Sequence, residues 1–159
     1  MNKRALVKKI LAQIQAEVQS YAKAAKAAHA EATHEQNKAE NKYDTRGLEA
    51  AYLAGAQSRQ AAVAQQAIED FTKLPLKEFA ATDAIDLSAL VEIESRGERS
   101  LFFLGPCKGG LEIQQNGRGV IVLTPQAPLG QQLVGRKQGD RFKWGDGRFA
   151  AEYRIVSVG

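Results

Sequence analysis

From Lys3 to about Gln36 the chain contains no proline or glycine and is rich in Ala, Gln, Lys and Glu. All four are strong helix formers, so the run predicts one long helix. Its larger apolar residues, Val7, Ile10, Ile14, Val18 and Tyr21, continue through Ala25, Ala28 and Ala32 in steps of three or four. Such spacing draws a single stripe meant for a partner helix. At 1.5 Å per residue the helix extends roughly 50 Å, too long to be wrapped on a core from so short a chain, and it is expected to project. Toward Ala32 the stripe shrinks from Ile and Val to Ala, which buries less surface, so the far end is expected to be narrow and marginally stable.

The apolar pattern breaks between Asn37 and Gly47, a stretch with two Asn, one Asp and one Gly, and the hairpin turn is placed there. Asp44 or Thr45 offers an oxygen to the first free N–H groups of a second helix, expected from about Arg46 to Thr72. Leu48, Ala51, Gly55 and Ala62 give that helix a small-residue face, with Gln65 and Gln66 weakening the period. Leu74-Pro75-Leu76 ends it, because proline lacks the N–H and disfavours helical geometry in the residue before it.

After a connector to about Ser88, the period changes to two or to short apolar runs. Ala89 to Glu94, Ser100 to Leu104, Val120 to Leu123, Arg141 to Trp144 and Phe149 to Val158 read as strands of an antiparallel sheet. Turns are marked by Arg96-Gly97, Asn116-Gly117 and Asp146-Gly147, the last two being strong hairpin signals. Between the third and fourth of these strands, Pro128 to Gly135 begins with proline and ends with glycine, as a short helix does. The expected fold class is therefore α+β. A coiled-coil hairpin (1–75, tip about 37–46) and a linker (76–88) precede a small antiparallel β domain with one short helix (89–159).

Charge and cysteine content narrow the function classes. The net charge of +4 is modest. Residues 1–46 hold nine Lys/Arg against five Asp/Glu, whereas residues 80–159 hold ten against nine. Lys3, Arg4, Lys8 and Lys9 crowd the N-terminus, where they serve either as a contact for nascent RNA or an acidic protein, or as the solvated start of a helix. The single cysteine, Cys107, excludes an intramolecular disulfide and a cysteine zinc site, and points to the cytoplasm. No segment reaches the roughly 18 apolar residues of a membrane span, and no apolar signal core follows the basic start.

The last third resembles a known family. Ala127-Pro128-Leu129-Gly130-Gln131-Gln132-Leu133-Val134-Gly135, then Gly139-Asp140, then Glu152-Tyr153-Arg154-Ile155-Val156-Ser157-Val158 is similar to the ending of the GreA/GreB transcript-cleavage factors. Ser100 to Pro106 fits the strand of the same domain that closes on Gly-Pro. The helical half is similar in length and position to the Gre coiled coil. The resemblance implies an FKBP-like C-terminal domain and RNA polymerase as partner, with a binding surface at Pro128, Leu129, Gly130, Gly135 and Asp140. It also implies an accessory factor rather than an enzyme, with no stably bound cofactor; the hairpin by itself needs no partner chain, so a monomer is expected.

Gre tips carry an Asp and, three residues on, a Glu that help hold a magnesium ion at the polymerase active centre. Here Glu40-Asn41 matches the Glu-Asn pair, Tyr43 falls one residue short of the family tyrosine, and Asn37 stands where the Asp is expected. Asn offers a carbonyl oxygen but no negative charge, which magnesium prefers. The tip acids proposed from the resemblance are Glu40, with Asp44 and Glu35 as helpers, and Glu40 and Asp44 as ligands of a shared magnesium; Asn37, Asn41 and Tyr43 are the tip contacts. Two-metal hydrolysis needs only oxygen ligands that orient the ion and a water. Against this, Glu31, Glu35, Lys38 and Lys42 have the spacing of helix-surface ion pairs, and Asp44 suits a cap.

Other patterns fail on context. His29 and His34 lack a third ligand for zinc. Gly105 to Gly110 lacks the spacing of a phosphate loop, and its glycines read as turn formers. Cys107 has no catalytic partner in sequence. Phe142, Trp144, Phe149 and Tyr153 read as core and hairpin packing, or in part as a contact surface. Two alternatives stand beside a cleavage factor: a secondary-channel occupant that modulates or inhibits transcription without cleavage, and an FKBP-like prolyl isomerase or coiled-coil chaperone. No aromatic-lined cleft is evident in residues 89–158 to favour the isomerase.

Overall fold

The structure, a computed structural model, describes residues 1–34 and 46–159. Two compact units divide them: Leu11–Glu69, and Met1–Ile10 together with Asp70–Gly159.

The first unit holds most of two long helices, α1 (Lys3–Thr33) and α2 (Arg46–Lys73), whose ends, residues 3–10 and 70–73, belong to the second. On α1 the stripe read from sequence, Ile14, Val18, Tyr21, Ala25, Ala28 and Ala32, is buried or half-buried within this unit, with Leu11 and Glu17 half-buried beside it. On α2 the seam differs from expectation. It runs through Ala50, Ala54, Gln57, Ala61, Ala64 and Ala67, while Leu48 is 60% exposed and Ala51 and Ala62 face solvent. Only Gly55 of the expected face is even half-buried. The cause is composition: alanine is spread all round α2, and its larger apolar residues Leu48, Tyr52, Leu53 and Val63 lie outside the seam.

The second unit is built on one six-stranded sheet in the order β3-β4-β2-β1-β6-β5. Its strands are β1 (Leu90–Ser95), β2 (Glu98–Leu104), β3 (Glu112–Gln115), β4 (Arg118–Leu123), β5 (Arg141–Trp144) and β6 (Ala151–Val158), with α3 (Pro128–Leu133) between β4 and β5. The expected purely antiparallel sheet needs one correction, since β2 and β4 pair in parallel. The chain passes out to β3, a four-residue strand missed in sequence, and turns back at Asn116-Gly117. It thus returns along β4 in the same direction as β2. Both Asn116-Gly117 and Arg96-Gly97 have positive φ at both residues, the geometry of tight two-residue hairpins. Asp146-Gly147 instead begins a longer loop containing a 3-10 turn, Gly147–Phe149.

One sheet face carries the main core. Val91, Ile93, Phe102, Leu104, Leu123, Phe142, Ile155 and Val158 pack there with Leu129 and Leu133 of α3 and Ile85 of the connector. Ile155 and Val158 are three residues apart yet share this face because the register shifts opposite Glu92/Ile93, leaving Val156 as the extra residue of a bulge. On the other face Leu101, Phe103, Ile113, Val120 and Val122 are buried, as are Leu6, Ile10 and Phe71 from the helix ends in this unit. Asn2 and Lys9 bond to β3 there, Asn2 through its carbonyl to the Gln115 amide at 2.9 Å and Lys9 Nζ to the Gln114 carbonyl at 2.8 Å. No helix among the described residues is long and apolar enough to cross a membrane.

Candidate docking site

The residues of the C-terminal motif interlock. Pro128 opens α3, where a missing N–H costs nothing. Gly130 lies against the backbone ahead of the helix: a Cβ there would stand 1.9 Å from the Thr124 carbonyl oxygen. Gly135, at φ +86°, follows the helix and donates its N–H to the Ile85 carbonyl at 2.9 Å, while Ile85 donates to the Arg136 carbonyl at 2.8 Å. The Asp140 carboxylate accepts the Lys137 N–H at 2.8 Å, and its own carbonyl accepts the Ile155 N–H at 2.9 Å. These bonds fix the turn that feeds β5.

Of the five residues proposed for polymerase contact, Leu129 and Gly130 are therefore buried parts of the scaffold. Pro128, Gly135 and Asp140 are exposed. A concave opening lies elsewhere on the core face. α3 and the connector cover one end of that face, and the end at the Arg96-Gly97 hairpin stays open as a groove of about 380 Å³. Ile93, Ser95, Ser100, Ala151, Tyr153 and Phe149 line it, with Arg96 and Glu98 also at the groove. Phe149 is 71% exposed, with the Arg148 guanidinium 5.2 Å from its ring centre. Tyr153 is fixed from behind, stacked on Phe142 at 5.5 Å and edge-on to Trp144 at 5.9 Å. Phe149 and Tyr153 are only four residues apart, but the groove also needs Ile93, Ser95 and Ser100 from β1 and β2, which only the assembled sheet brings beside them.

The N-terminal cations divide. Lys3 is buried, its ammonium donating to the Lys77 carbonyl and sitting 5.0 Å from the Phe79 ring centre. Burial pushes its pKa below the usual lysine range, opposed by nearby Glu78. Lys9 is tied to β3, so Arg4 and Lys8 are the two of the cluster turned to solvent without a bond to the sheet. At Cys107 burial and the neighbouring Asp70 push the thiol pKa up, which holds it in the unreactive protonated form. Gly105 is there for close approach rather than for a turn: a Cβ would lie 2.9 Å from Val122 and 3.0 Å from Phe71.

Glu35, Asn37, Glu40, Asn41, Tyr43 and Asp44 lie outside the described residues, as does the cap at Asp44 or Thr45. Among the described residues no group of three or more His, Cys, Asp or Glu is placed to hold a metal ion.

The described residues define an α+β protein in which a pair of long helices precedes a six-stranded, mostly antiparallel sheet with a short helix. Among solved structures the chain is similar to Gre-type factors. GreA factor homolog 1 of Thermus thermophilus is 21% identical over 94% of this chain and 94% of its own, with a TM-score of 0.38. Gfh1 of Thermus aquaticus is 22% identical over 98% of this chain and 92% of its own, at 0.40. The transcription elongation factor GreA/GreB of Nitrosomonas europaea is 20% identical over 60% of this chain and 78% of its own, at 0.37. No protein-family model matches the chain. No curated protein matches it in sequence. Superpositions this loose carry no functional weight, and the reading below rests on the chain's own residues.

Proposed function

We propose that the protein is a cytoplasmic, Gre-like accessory factor that acts on RNA polymerase, docking through its β-rich unit and entering the secondary channel with the helix pair. One observation carries the reading: Gly130, Gly135 and Asp140 of the Gre-like motif each have a physical task at their position. Gly130 makes room for the Thr124 carbonyl, Gly135 takes a positive φ, and Asp140 closes the turn before β5. The open groove with Phe149 and Tyr153 supplies the docking surface, an exposed aromatic beside polar residues being the usual anchor of a protein interface.

On this reading Glu40 reaches the polymerase active centre, where its carboxylate helps hold the weakly bound second magnesium and the polymerase's own hydrolysis of backtracked RNA accelerates. Asn37 favours a second reading. A neutral amide in place of the family acid supplies less charge to the ion, which suits a channel occupant that modulates transcription without cleavage. Cleavage assays on backtracked polymerase complexes separate the two. The first reading expects stimulated cleavage that falls at least tenfold with Glu40→Ala; a Glu40→Ala protein as active as the wild type would sink it. Co-purification with RNA polymerase and no stimulation by either protein supports the second.

A further inference from the structure

The sheet face opposite the main core bears a row of cations that the docking groove does not use. Strand pairing aligns Arg141 of β5 with Arg154 of β6, Arg154 with Glu94 of β1, and Glu94 with Arg99 of β2. Arg118 of β4 extends the row through its ion pair with Glu92, and Lys143 stands two residues along from Arg141. Neighbouring strands are about 4.8 Å apart, so the four arginines span roughly 19 Å. Their side chains are 43 to 64% exposed.

Residues 80–159 are nearly balanced, with ten basic and nine acidic side chains. This face holds five of the ten and only three of the nine, Glu92, Glu94 and Glu152. A sixth cation, Arg96, lines the small cleft at its edge with Arg141 and Arg154. Each of the four arginines has a carboxylate partner, Glu92, Glu94 or Glu152, but the cations outnumber the acids on this face. Arg141 and Arg154 are directly opposed like charges, a pairing that costs stability. Glu152 and Glu94 offset it only in part, each taking a single contact from these two arginines, at 2.9 and 3.1 Å. A guanidinium has five N–H donors, so several per residue remain for an outside ligand.

We propose that this face binds the phosphodiester backbone of single-stranded nucleic acid. Arginine forks match phosphate oxygens two at a time, and spacing at the strand repeat repeats the contact across the sheet. A protein partner is less well suited, since the row carries no aromatic or large aliphatic anchor. The site is independent of the polymerase reading: it requires neither the tip nor the groove, and the test below contains no polymerase in its main arm.

The test measures fluorescence anisotropy of labelled 20-nucleotide RNA and DNA of unstructured sequence, with the full chain, across a salt series. Engagement of about four phosphates, by Arg99, Arg141, Arg154 and Lys143, gives a slope of log K against log salt near −3. Replacing Arg99, Arg141 and Arg154 together by Gln is expected to weaken binding at least tenfold at about 100 mM salt and bring the slope to about −0.7, the share of Lys143. Should that triple variant not fold, Lys143→Gln alone reduces the slope by about 0.7. Lys8→Gln is expected to leave it unchanged. Equal affinity for RNA and DNA identifies the shared backbone as the ligand; preference for RNA adds its 2′-hydroxyls. Absence of binding at low salt overturns the proposal. So does a loss of binding with Lys8→Gln rather than with the sheet variants.

Discussion

Gly130 and Gly97 show how differently two glycines can matter. At Gly97, φ is +80° but the space for a Cβ is open, so Gly97→Ala meets only backbone strain, about 1 kcal/mol. At Gly130 the Cβ would enter the Thr124 carbonyl, and neither helix nor loop can yield without breaking the α3 contact. Gly130→Ala is expected to destabilise by about 3 kcal/mol or more, read as a fall in the urea midpoint well beyond that of Gly97→Ala. Glu94 gives a prediction in pH. Hydrogen bonds from Arg99 and then Arg154 hold its carboxyl below the usual glutamate range. A depressed folded pKa contributes stability that is complete above the unfolded value of about 4.3 and is lost as pH falls through the folded one. Glu94→Gln should therefore show a shallower loss of stability between pH 5 and pH 3 than the wild type, measured by urea denaturation at each pH. An equal loss in both would show that the two arginines do nothing for Glu94 in the fold.

At the scale of elements, α2 is where sequence reading slipped. The α1 stripe was legible because Val, Ile and Tyr recur on one face against polar neighbours. Between Ala50 and Ala67 the fully buried positions of α2 are alanines, and alanine recurs on every side of the helix, so small residues alone do not single out the buried face. The seam makes a clear prediction. Ala64 is 2% exposed, and Ala64→Leu should overpack it and destabilise the helix pair by about 1 to 3 kcal/mol. Leu48→Ala, on the outer face, should change stability by less than about 0.5 kcal/mol. Thermal melts followed by helical circular dichroism compare the two, and the reverse ranking would restore the face expected from sequence. The short β3 was missed for another reason: four residues give too little alternation to stand out, although Asn116-Gly117 announced the hairpin it belongs to.

For the whole molecule, docking on the polymerase is the property to test, and Phe149 is the residue to change. Its 71% exposure means that Phe149→Ala removes a surface anchor with little effect on the core. Polymerase affinity is expected to drop about tenfold while the melting temperature holds; undiminished affinity would move the docking surface away from the groove. By itself the sequence determined the long α1, its seam, the point where helix gives way to strand, the proline-to-glycine bounds of α3 and the motif that resembles a Gre factor. Those features are local: they depend on propensity, period and turn chemistry within a few residues. Only the tertiary structure decided which face of α2 is buried, that β2 and β4 run parallel, that Leu129 and Gly130 serve the scaffold, and that Arg141, Arg154 and Arg99 stand in one row. These depend on register and on close approach between segments far apart in the chain. No spacing along the sequence encodes them until the sheet is assembled.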